Sequence, residues 1–135
     1  MTIDWRKYWW QPGFALAFFA VGVPYWLIPY NKLNLPDALL GVELVVVFAV
    51  AALARVTSGK SFMRVVVVMG SVVPAVVMAR VVVDGVLDYS AHNLWPFEVV
   101  IAILVSAVVA VPGALAGSVV LWLSRRGRDD DGQAG

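Results

Sequence analysis

Four continuous apolar runs, each closed by polar residues, organise the chain: about 13–30, 36–54, 62–83 and 96–123. Within them the apolar positions follow one another without the alternation of a half-buried strand. Each run holds roughly 18 or more residues, which at about 1.5 Å per residue crosses a ~30 Å hydrocarbon layer. The third is rich in valine, from Val65 to Val68 and again from Val81 to Val83. In water that would favour strands, but an isolated strand cannot satisfy its backbone in lipid, and a barrel would show alternation. The pattern predicts an all-α membrane protein. Residues 1–124 should form a bundle of four transmembrane helices, and the charged tail 125–135, without apolar periodicity, should be disordered.

The residues that punctuate the runs refine this picture. Pro24 lies within the first run and should kink it, whereas Pro29 falls at its exit; Pro112 should bend the fourth. The first run ends in Pro-Tyr-Trp-Leu-Ile-Pro-Tyr30 with no small-x-small cleavage site, so it reads as a retained helix and not a removable signal. Aromatic residues gather at the boundaries: Tyr25, Trp26, Tyr30, Tyr89 and Trp95 on one side, Trp5, Tyr8, Trp9, Trp10 and Trp122 on the other. These are the belts expected at the two lipid–water interfaces. Asn34-Leu-Pro-Asp37 and Asn93-Leu-Trp-Pro-Phe-Glu98 open the second and fourth runs alike, which is the chemistry of a helix start.

Composition agrees with the pattern. The chain of 135 residues is 61% hydrophobic and 14% charged, against about a quarter charged in a soluble domain. A net charge of +1 gives no attraction to nucleic acid. With no cysteine there is no disulfide and no thiolate chemistry. Of the ten Lys and Arg residues, Arg6, Lys7, Arg55, Lys60, Arg64, Arg125, Arg126 and Arg128 fall on one side of a four-span arrangement and only Lys32 and Arg80 on the other. The positive-inside rule then places both termini in the cytoplasm. The expected location is the bacterial cytoplasmic (inner) membrane.

Candidate chemistry concentrates near the opposite, outward ends of the spans. Arg80, Asp84 and Asp88 recur every four residues and form one polar stripe on a helix. Glu43 and Arg80 are expected roughly 9 Å and 6 Å below the same surface. They could form one ion pair that fixes helix register. Arg80 could instead reach Asp84 one turn above, or Glu43, Arg80, Asp84, Asp88 and Glu98 could line a substrate or ion pathway. Asp84, Asp88, His92 and Glu98 do not make a persuasive metal site, and the single histidine argues against a bis-histidine haem anchor. No metal or cofactor is expected. Gly59-Lys60-Ser61 resembles the end of a phosphate-binding loop, but the motif's earlier glycine would fall on Ala54, so nucleotide binding is excluded.

The packing signal is strongest in the fourth run. Ala102, Ser106, Ala110, Ala114 and Ser118 repeat every four residues, with Gly113 and Gly117 beside them as a GxxxG step. Such a face lets another backbone approach closely. The expected partner is the third helix, through Ser71, Ala75 and Ala79; the alternative is another subunit or a second copy. Two functions remain compatible with the sequence: a non-catalytic accessory or scaffolding subunit of a membrane assembly, or a small homo-oligomeric transporter or channel using Glu43 and Arg80. Clustered nucleophiles, bases or metal ligands that an enzyme would need are missing.

Overall fold

The computed structural model describes residues 7–29, 40–88 and 94–134, and singly Thr2, Asp4, Lys32, Asp37 and Ser90. Trp5, Arg6, Tyr30, Asn34, Tyr89, His92, Asn93 and the expected start of the second span at Pro36 lie outside the described residues. What is described is all helical, with no strand: α1 Trp10–Leu27, α2 Glu43–Thr57, α3 Phe62–Gly70, α4 Val72–Leu87 and α5 Trp95–Gln133. Helices α3 and α4 continue one another as a single rod. This rod, Phe62–Leu87, and α5 are long and apolar enough to cross a membrane.

Local chemistry sets the boundaries. Pro24 sits inside α1 without ending it, and α1 stops where Ile28 turns extended ahead of Pro29, the conformation a following proline favours. The α2–α3 connection is made by the Gly-Lys-Ser triplet. Gly59 has φ +68° and closes α2 in the left-handed conformation open to glycine, while the Ser61 hydroxyl accepts from the Arg64 N–H and caps α3. This accounts for the triplet without any phosphate. The rod breaks at Ser71, three residues before Pro74, whose missing N–H leaves the Gly70 carbonyl without its helical donor. Pro96 in the first turn starts α5.

Two expected boundaries differ. The second helix begins at Glu43, not near residue 36, among the described residues. The last runs on through the arginines and aspartates to Gln133, with residues 122–134 all exposed. Arg125, Arg126, Asp129 and Asp130 stand at four-residue spacing there, where opposite charges support a helix.

The buried residues of each helix recur at three- and four-residue steps, as one apolar stripe requires: Ala17, Val21 and Tyr25 on α1; Leu44, Val47, Ala51 and Ala54 on α2; Val72, Val73, Val76 and Val77 on α4. Helix α2 and the α3–α4 rod lie in the middle, with α1 against one flank and α5 against the other. The interior is built mostly of Ala, Val, Gly and Ser, with Tyr25, Met69 and Leu44 among them; Leu16, Phe19, Leu53, Leu104, Val108 and Leu115 point out.

Candidate functional site

The Arg80 cluster forms where α1 and α4 end side by side. Leaving α1, the chain meets Pro29, so the Tyr25 carbonyl lacks the N–H four residues on that would normally satisfy it. Arg80, buried on α4, fills the gap: Nη1 donates to Tyr25 O at 2.7 Å and Nη2 to Ile28 O at 2.7 Å. Nε donates to Asp84 Oδ2 at 3.2 Å, one turn above. The guanidinium also lies 5.0 Å from the centre of the Tyr25 ring, within cation–π range. A cation at the negative end of the α1 dipole is favoured as well. Arg80 thus acts as a C-cap for another helix. Trp26 adds a second tie, its Nε1–H donating to Val76 O at 3.2 Å.

The pair expected between Glu43 and Arg80 is not formed. Arg80 reaches Asp84, the alternative within its own helix, together with backbone oxygens. Glu43 is not held deep in a span: it opens α2, half-buried, with its carboxylate folded back over Gly41. There it meets the positive end of the α2 dipole. Glu98 is buried in the first turn of α5. Asp88 ends α4, fully exposed, and accepts from the Ser90 N–H at 3.0 Å and hydroxyl at 2.8 Å. An open cleft of about 390 Å³ runs past Trp26, Pro29, Asp84 and Asp88. Among the described residues no three His, Asp or Glu side chains converge as a metal would need.

The Ser90 hydroxyl and N–H hold the Asp88 carboxyl below the ordinary aspartate pKa. Its contribution to stability is therefore present above the unfolded-state pKa and is lost as pH falls through the lower folded value. Ser90→Ala should raise the Asp88 pKa toward that of a free aspartate, which a carboxyl-carbon NMR titration would read; an unchanged titration would contradict the contact.

A second arginine anchors the opposite end. Arg55, in the last turn of α2, donates from Nε to Ser118 Oγ at 3.0 Å and from Nη1 to Lys60 O at 3.1 Å. Ser118 passes its own proton to Ala114 O at 3.0 Å. Between the anchors runs the small-residue face of α5. Ala102, Ser106, Ala110, Gly113, Ala114 and Gly117 are all buried, and Ser118 is partly so. Its GxxxG step does not meet the third helix as expected. A Cβ on Gly113 would stand 2.7 Å from Phe48 O, and one on Gly117 2.5 Å from Ala52 O and 2.7 Å from Arg55 Cβ. The glycines therefore admit the backbone of α2, which runs parallel to α5. Helix α5 does pack along the α3–α4 rod, as expected for the last two helices, with Gly70 and Ala110 in ordinary contact there. Ser106 is fully buried with its hydroxyl lacking a partner among the described residues; its small volume, not its polarity, fits the face.

No family model, curated protein or solved structure matches this chain.

Sequence reasoning missed both backbone contacts of Arg80 and the Arg55–Ser118 tie. For Arg80 a signal existed: Pro29 removes the helical donor four residues on from Tyr25, leaving that carbonyl only the 3.3 Å bond from the Ile28 N–H. For Arg55 none did.

Proposed function

We propose that the chain is a four-span integral protein of the bacterial inner membrane, with both termini cytoplasmic, acting as a non-catalytic accessory or scaffolding subunit of a membrane assembly. The observation that carries this reading is the engagement of Arg80 and Arg55. Arg80 and Arg55 are bonded to carbonyls, a carboxylate and a hydroxyl within the fold, several of them on neighbouring helices. Groups so held serve the architecture of the bundle, whereas a transported ion or substrate needs groups it can exchange with.

The exposure of the helices supports membrane embedding. Only 39% of the most apolar stretch of the rod and 33% of that of α5 is buried inside the fold, so most of each would face water in a soluble protein. Lipid removes that cost. The α5 face foreseen as a possible subunit contact is covered by α2 and the rod, so a partner would meet the large outward side chains instead.

Because the chain has no cysteine, single replacements report topology cleanly. Ser90→Cys should react with an impermeant maleimide added outside intact cells, and Gly127→Cys only after the membrane is opened. Native mass spectrometry of the protein gently extracted from its host membrane then tests the function. A reproducible hetero-complex is expected. A homo-oligomer without other chains would sink the subunit reading in favour of a transporter or channel.

A further inference from the structure

At the Arg55 end, α1 and α2 touch at Gly13, where a Cβ would come within 3.0 Å of Val50 Cγ1. Beyond that contact they diverge toward Trp9 and Ser58. The gap is an open groove of about 400 Å³ with largely apolar walls, Trp9 and Leu16 on one side and Val50 and Leu53 on the other. Its mouth is formed by Tyr8 and Ser58. A lysine flanks each. Lys7 Nζ stands 5.7 Å from the Tyr8 ring centre, and Lys60 is tied to the mouth by its N–H donating to Ser58 Oγ at 3.2 Å. Arg55 holds the Lys60 carbonyl and fixes this loop. Neither lysine ammonium is ion-paired among the described residues.

We propose that this groove binds one anionic phospholipid, an acyl chain lying between Trp9, Leu16, Val50 and Leu53 and the phosphate meeting Lys7 and Lys60. The inference rests on the membrane-spanning reading above. An open apolar slot suits a chain that stays in the hydrocarbon layer, while a lysine in each of the two segments at its interfacial end suits a negative headgroup. A soluble anion would gain nothing from the slot, and a zwitterionic lipid, whose phosphate is balanced by its own amine, less from the lysines.

The test uses the full chain from membranes washed with alkaline carbonate. Release into the wash would overturn the membrane reading and the lipid site with it, whereas failure on the retained fraction overturns the lipid site alone. On the retained fraction, native mass spectrometry compares palmitoyl-oleoyl phosphatidylglycerol with phosphatidylcholine of the same chains. The wild type should keep one phosphatidylglycerol with about 30-fold preference, the sum of two lysines near the surface. Lys7→Gln with Lys60→Gln, both outside the helices, should erase the preference. Leu53→Trp, which thickens an exposed wall, should reduce retention of both lipids, and glycerol phosphate should not bind. Equal retention of the two lipids by the wild type, an unchanged preference in the lysine variant, or unaffected binding in Leu53→Trp would each overturn the proposal.

Discussion

Arg80→Met is expected to destabilise the folded chain by about 3–5 kcal/mol, the cost of removing one partner from a buried ionic cluster. The loss has two parts. Asp84 keeps a charge without its guanidinium, and in apolar surroundings the Ile28 carbonyl loses its arginine donor while the Tyr25 carbonyl is left with only the 3.3 Å bond from the Ile28 N–H. Arg80→Lys should recover only part of the stability, because one ammonium cannot reproduce the fork that spans two carbonyls and a carboxylate. Denaturant titration in detergent, followed by circular dichroism, gives the values. A double-mutant cycle locates the partner. Arg80→Met with Asp84→Asn should fall short of the sum of the singles by about 1–3 kcal/mol, whereas Arg80→Met with Glu43→Gln should be additive within about 0.5 kcal/mol. Coupling to Glu43 in place of Asp84 would show that the cluster is wired differently.

Gly113→Ala and Gly117→Ala should each cost about 1–3 kcal/mol, since the new methyl would meet the backbone oxygens of Phe48 and Ala52 and force α2 away from α5. Gly117 should be the more sensitive. Moving α2 there also pulls Arg55 from Ser118. Gly127, on the same helix with open space around it, provides the control: Gly127→Ala should be neutral or stabilise by about 0.5–1 kcal/mol through helix propensity alone. The same denaturant titration compares the three. If Gly113→Ala and Gly117→Ala behave like Gly127→Ala, the close α2–α5 contact is not present in solution.

The helices were legible because long apolar runs without alternation leave lipid or a core few other options, and α1, the rod and α5 each cover most of an expected run. The break at Ser71 was also written in the chain, by Pro74, although periodicity alone runs straight through it. The small-residue face of α5 was legible as a face but not as a pairing. Small residues state that a backbone comes close; they do not say whose. Consecutive helices are the default partners, and α5 does lie along the rod, but it sets Gly113 and Gly117 against α2. Arg80 is costly in an apolar helix, and the sequence offers it two carboxylates, Glu43 and Asp84, of which it takes Asp84. Its two shortest hydrogen bonds go to main-chain oxygens, which every residue carries and which therefore leave no mark in side-chain patterns. Arg55 was read only as a charge for orientation, since a serine acceptor on a distant helix has no sequence signature.

The trans cap on α1 also imposes an order of events on biosynthesis. The Tyr25 and Ile28 carbonyls precede the arginine that satisfies them by 55 and 52 residues. A nascent chain that has delivered α1 and α2 has therefore not yet made the arginine that bonds both oxygens, and the Tyr25 carbonyl has only the Ile28 N–H. The first helix to be synthesised completes its polar contacts only after most of the α3–α4 rod has followed it, so α1 is among the last helices to be finished.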